Sequence, residues 1–232
     1  MRTEPKGTTP GSAERRFPGY DVVARSDKWD APTTAVVLGR LEPPGPAKFF
    51  DAGEEAVVRA LLDRLLAQEE DPRVPVFEQI DGRLAAREGD GYHYDDLPQD
   101  PEAWRLSVAA LDNEARSSAG EGFASLDRQA QRDLIEGVRV CKGTWQDLPA
   151  QHVFSLWMRY ACGAYYAHPW AWNEIGFGGP AYPTGYKHLA LDGRENWEVQ
   201  ERDSHDPVPW AQRAEEAKKR HAAGLSQKED PG

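Results

Sequence analysis

The stretch Pro149-Ala150-Gln151-His152-Val153-Phe154-Ser155-Leu156-Trp157-Met158-Arg159-Tyr160-Ala161-Cys162-Gly163-Ala164-Tyr165 decides the fold. Pro149 suits the start of a helix, where its missing N–H is not needed. Beyond it, Val153, Phe154, Leu156, Trp157, Tyr160, Ala161, Ala164 and Tyr165 leave almost no polar stripe. A helix that is apolar nearly all round belongs in the middle of a bundle.

Toward the N-terminus the chain supplies helices to surround it. Leu126, Ala130, Leu134 and Val138 align on a helix over about 126–140. Asp100 as cap, Pro101 at the first helical position and Glu102 near the positive dipole end open another. Its face carries Trp104, Val108, Leu111 and Ala115. A third runs over 76–87 through Phe77, Ile80 and Leu84, followed by the acidic, Gly-rich loop Gly89-Asp90-Gly91-Tyr92-His93-Tyr94-Asp95-Asp96. The earliest covers about 52–68: Asp51 and Glu54 form a capping-box pair, and Val57, Val58, Leu61, Leu62 and Leu65 form its buried stripe. With no convincing β pattern, these elements predict an all-α fold, a bundle of about five helices.

Around the helical domain, taken as residues 49–168, the character changes. Residues 1–15 have the composition of a disordered tail. Residues 16–48 read as an extended arm. They hold one apolar run, Ala35-Val36-Val37-Leu38, bracketed by Pro32 and by Pro43-Pro44-Gly45-Pro46. The segment 169–209, rich in Trp, Tyr, Gly and Pro, has no helical or alternating period and reads as an irregular binding element. Residues 210–232 form a short charged helix and a tail.

Composition narrows the functions. Net charge is −11, from 39 acidic and 28 basic residues, which repels phosphate backbones. The basic cluster Lys218-Lys219-Arg220-His221 follows Glu215 and Glu216 and reads as a solvated helix face, so no nucleic acid is expected. Cys141 and Cys162 read as buried free thiols. No apolar run approaches the ~20 residues of a membrane span. Arg15-Arg16 has no hydrophobic segment after it, which leaves cytoplasm as the expected compartment.

Catalytic patterns are not evident. The histidines His93, His152, His168, His188, His205 and His221 lack metal-ligand spacing, and Gly176-Phe177-Gly178-Gly179-Pro180 lacks the strand and helix of a phosphate cradle. No catalytic, cofactor or metal residues are assigned.

Recognition rests on the string Tyr165-Tyr166-Ala167-His168-Pro169-Trp170-Ala171-Trp172-Asn173-Glu174-Ile175-Gly176-Phe177-Gly178-Gly179-Pro180-Ala181-Tyr182-Pro183-Thr184-Gly185-Tyr186. It resembles the C-terminal signature of the gluconate 2-dehydrogenase subunit 3 family. The block Phe49 to Gln68 and the step Gly122-Phe123-Ala124-Ser125-Leu126 fit the same family. The resemblance implies a small helical subunit without a cofactor of its own, bound to a large FAD-dependent flavoprotein of the glucose-methanol-choline (GMC) oxidoreductase type. That partner oxidises a sugar or sugar derivative, and the small chain supports its folding, stability or export. Many members carry a twin-arginine signal; the residues after Arg15-Arg16 depart from that pattern, so an export role is not expected of this chain.

Trp and Tyr anchor interfaces with few rotatable bonds, and glycines permit close backbone approach. The partner-binding candidates are therefore Trp170, Trp172, Asn173, Phe177, Tyr182 and Tyr186, with Trp29 and Val36 from the arm, which could equally wrap a partner or lie across its own helices. The expected function is a non-catalytic, chaperone-like accessory subunit. The alternatives are a stand-alone metal-assisted enzyme, such as a sugar isomerase using His93 and His168, or an electron-relay subunit.

Overall fold

The computed structural model describes residues 16–68, 73–187 and 195–202, together with Glu215, Lys218 and Lys219. In chain order run α1 (Ala31–Gly39), α2 (Ala52–Leu65), α3 (Val76–Ala85), α4 (Asp100–Ala119), α5 (Arg128–Val140), α6 (Ala150–Tyr166) and α7 (Pro169–Ile175). Short 3₁₀ segments cover Val22–Lys28 and Phe123–Ser125. The all-α expectation holds: among the described residues, the strands are β1 (Thr144–Trp145) and β2 (Leu148–Pro149), an antiparallel pair with Trp145 opposite Leu148. Gln146 and Asp147 turn this hairpin at φ 49° and 61° and deliver the chain into α6.

α6 is the central helix, packed against α2, α3, α4 and α5 and meeting α7 at its end. Val153, Leu156, Trp157, Tyr160 and Ala161 are its buried face, against Leu61 of α2, Ile80 of α3 and Trp104 and Leu111 of α4. The Trp104 and Tyr160 rings meet edge to face at 5.8 Å. The Trp157 indole N–H donates to the Ser107 hydroxyl at 2.9 Å, which satisfies both polar groups inside the core.

Carboxylates tie the loops to this bundle. Asp81, 2 % exposed, accepts the backbone N–H groups of Lys48, Phe49 and Phe50 at 2.6, 2.9 and 3.0 Å and so fixes the entry to α2. The capping box at Asp51 and Glu54 is present as expected. Asp112 accepts the Phe123 N–H at 2.8 Å, and a Cβ on Gly122 would come within 2.8 Å of that carboxylate. That contact gives the Gly122-Phe123 step its meaning: the glycine lets the fully buried Phe123 approach α4.

Several local expectations are corrected. The arm is not extended: it coils into the 3₁₀ segment and α1. Asp21 and Asp30 supply the caps, accepting Val23 N–H and Thr33 N–H at 3.0 Å each. Pro32 sits in the first turn of α1, where it opens a helix instead of breaking one. Asp100 is not the cap of α4. It lies inside the helix, where it accepts from Arg159 at 3.0 Å and the Tyr160 hydroxyl at 2.7 Å. The segment after 168 begins with α7 before becoming irregular. Cys141 and Cys162 are free but half-buried, not buried. The expected tail over 1–15 lies outside the described residues, and so does almost all of the expected helix near 210–223.

Candidate partner-binding face

α7 is a short helix built by its ends. Pro169 opens it, and the His168 Nδ1 accepts the Trp170 N–H at 3.2 Å as cap. Gly176 closes it in the left-handed region at φ 66°, where an L side chain would be strained. His168 is 1 % exposed, and its Nε2 lies 3.0 Å from the Arg40 carbonyl. Because Nδ1 accepts, the ring is the neutral tautomer with its proton on Nε2, donated to Arg40. Burial, with the Arg40 cation nearby, lowers its pKa from 6.5 to about 4.

The N-terminal arm closes over α7 and the glycine run that follows. Asn173, with no exposed surface, accepts the Val22 N–H on Oδ1 at 2.8 Å. The Tyr20 hydroxyl donates to the Phe177 carbonyl at 3.0 Å, and the Arg25 guanidinium donates to the Gly178 carbonyl. Burial pushes the Tyr20 phenol up to about 12, so it remains a donor near neutrality. Arg40 donates to the Ala167 carbonyl at 2.7 Å. Around these bonds Tyr20, Val22, Trp29, Val37 and Trp172 form a second hydrophobic core, flanked by Phe17, Val23, Trp197 and Val199.

The glycines are explained by this core. A Cβ on Gly176 would stand 2.7 Å from the Phe17 ring, and one on Gly179 would stand 2.9 Å from Trp29. At Gly178 it would overlap the Trp197 ring, whose second and third nearest atoms would be 2.7 and 2.8 Å away. The run Gly176-Phe177-Gly178-Gly179 therefore receives the chain's own aromatic rings, which fill the space a phosphate would need.

The candidates read from sequence separate into two sets. Trp172 (6 % exposed), Asn173 and Trp29 face inward and hold the second core together. Trp170 is partly buried against the main core. Val36, Phe177, Tyr182 and Tyr186 are turned outward, at 59, 41, 67 and 41 % exposure. Phe177 braces edge to face on Trp172 at 5.5 Å, and Tyr186 leans on Trp197 at 6.4 Å. Tyr166 and Ile175 join them: among the described residues, six of the nine exposed large hydrophobic side chains lie on α1, the end of α6, α7 and the segment after it. Such a concentration on a rigid support differs from the scattered apolar residues of an ordinary surface.

Tyr20, Arg25, Arg40 and Trp197 were not singled out from sequence. Their partners are more than a hundred residues away or belong to an aperiodic segment, so no local spacing announces them. The one available signal was the excess of glycine in 176–179, which requires a close neighbour but does not name it.

His93 and His168 are not brought together. His168 caps α7, while His93 lies in the exposed loop before α4. Among the described residues no three His, Cys, Asp or Glu side chains are grouped to hold a metal ion, and no helix is long and apolar enough to cross a membrane.

No curated protein and no solved structure gives a significant match to the chain. The family described as Gluconate 2-dehydrogenase subunit 3 matches residues 52–179, more than half of the sequence. That span starts at α2, ends on Gly179 and includes the α7 half of the second core, while the arm that completes the core lies before it. The chain belongs to the gluconate 2-dehydrogenase subunit 3 family.

Proposed function

We propose that this chain is the non-catalytic small subunit of an oxidoreductase complex. It binds and stabilises a large FAD-dependent subunit of the GMC type, which oxidises a sugar or sugar derivative. The observation that carries the reading is that Phe177, Tyr182, Tyr186 and Val36 are turned outward on segments that adjoin the second core, whose α7 part lies within the family-matched span. Rigid aromatic anchors lose little conformational entropy on docking, and burying them at an interface removes exposed apolar area from water.

Binding the native partner and not its unfolded chain stabilises the partner by mass action, about 2.7 kcal/mol when the small subunit is at 100 times Kd. Such a subunit needs no reactive group. FAD belongs to the large chain, and the complex is expected in the cytoplasm.

The test is co-expression with a flavoprotein dehydrogenase encoded beside it, followed by size-exclusion chromatography monitored at flavin wavelengths. The wild-type chain is expected to co-elute with the yellow partner. A Phe177→Ala, Tyr182→Ala, Tyr186→Ala triple variant is expected to lose affinity by at least ~10-fold with unchanged helicity. A triple variant that retains the complex in full would remove this face as the docking surface, and a wild-type chain that ignores the flavoprotein would remove the function.

A further inference from the structure

We propose that the cleft between the 40–44 linker, residues 73–78 and the start of α7 binds a small organic carboxylate, with Arg40 as its cationic anchor. The cleft has a volume of about 590 Å³ and is lined by Pro43, Pro44, Val74, Phe77 and Trp170 beside Arg40. That size falls in the ~300–1,000 Å³ range of small-molecule sites, and rings and prolines make a rigid apolar wall for an organic body.

Arg40 is the group that points to a ligand. Its guanidinium has five N–H donors, of which one is engaged by the Ala167 carbonyl. Its other contact is with the Trp172 ring, 5.8 Å away. No carboxylate of the described residues pairs with it, and burial alone pulls its pKa down. A half-buried charge without a counter-ion is a cost that an arriving anion relieves.

The acidic residues of the same cleft do not supply that charge. Glu78 is bound by Arg59 at 2.8 Å, Asp63 is bound by Arg73, and Glu42 has its own partner. His168, at the inner end, is neutral and donates to the Arg40 carbonyl. Of the arginines lining the cleft, Arg59 is engaged by Glu55 and Glu78 and Arg73 by Asp63, so Arg40 is left to meet one negative charge. A monoanionic carboxylate, matched to the planar guanidinium fork, fits this balance better than a phosphate dianion. The site is independent of the outward aromatic row, so it stands or falls separately from the docking reading.

The test is an NMR titration of the full chain at pH 7 and constant ionic strength, with propionate, benzoate and inorganic phosphate as probes. The signals to follow are the Trp170 indole N–H and the Arg40 Nε–H. The expected result is saturable shifts of both signals with the carboxylates, at least ~5-fold tighter than with phosphate, weakened ~10-fold or more by Arg40→Gln. Because Arg40→Gln also removes the bond to Ala167, Pro44→Glu at the exposed rim provides a second variant, expected to weaken binding several-fold. Absence of saturable shifts up to about 100 mM carboxylate, a Kd weaker than any useful site, would overturn the proposal. Equal affinity for phosphate would overturn it too, as would binding unchanged in Pro44→Glu or shifts confined to other residues, including those of a partner-docking face.

Discussion

Replacing Asn173 with alanine deletes the acceptor of the Val22 amide, a 2.8 Å bond between two residues without exposed surface. An orphaned buried N–H costs about 1–3 kcal/mol, and Asn173 makes a further contact that adds to the loss. The bond joins the arm to α7 and touches none of the α2–α6 core, so the cost should appear as local opening. Amide exchange over residues 16–30 and 168–180 is expected to accelerate by roughly 5- to 150-fold, the same free energy read as an opening constant. Peptides from α4 and the first turns of α6 should keep their protection. Hydrogen exchange with mass spectrometry reads both regions in one experiment. Unchanged protection over 16–30 would refute the structural role of Asn173. An equal loss in α4 and α6 would refute the separation into two cores.

Three further outcomes follow from the same geometry. Gly178→Ala forces the new methyl against Trp197, displacing the ring from its stacking on Arg25 at 3.7 Å; thermal unfolding should show a loss of about 1–3 kcal/mol, as overpacking does. His168 has a folded pKa of about 4 against 6.5, so the folded state binds its proton less readily than the unfolded one. Its contribution is complete above pH 6.5 and is lost as pH falls toward 4, by about 3 kcal/mol from the size of that shift. Urea unfolding at stepped pH should therefore show a steeper acid decline for the wild type than for His168→Gln. Asp81→Ala orphans three backbone N–H groups at the entry to α2 and should lower the urea midpoint by an amount equal to about 3 kcal/mol or more.

The helical domain was legible because its information is local. The 3.6-residue spacing of Val57, Leu61 and Leu65, the Asp51–Glu54 box and the nearly unbroken apolar surface of 153–165 each state an element within one or two turns. Those patterns hold whatever the rest of the chain does. The arm was less legible because a proline can either end or open a helix. Pro32 opens α1, and the cap at Asp30 that decides this is only two residues away. Asp100 looked like a cap for the same reason that it is not one: its carboxylate has two stronger partners on α6, 59 and 60 positions later.

The candidate face divides along the same line. Glycine, proline and aromatic residues in 169–186 already indicated a segment that turns sharply, permits close backbone approach and carries rings for contact. Which rings, and which side chains then remain outside, depended on pairings between residues far apart, such as Val22 with Asn173 and Tyr20 with the Phe177 carbonyl. A single aperiodic segment contains nothing that specifies a partner 151 or 157 residues away. Trp172 and Phe177 are both aromatic members of one string, yet one is buried and the other braces against it from outside. Local chemistry sets the type of residue available for contact. Packing in three dimensions distributes those residues between the chain's own core and its surface, because burial depends on what arrives from elsewhere in the chain.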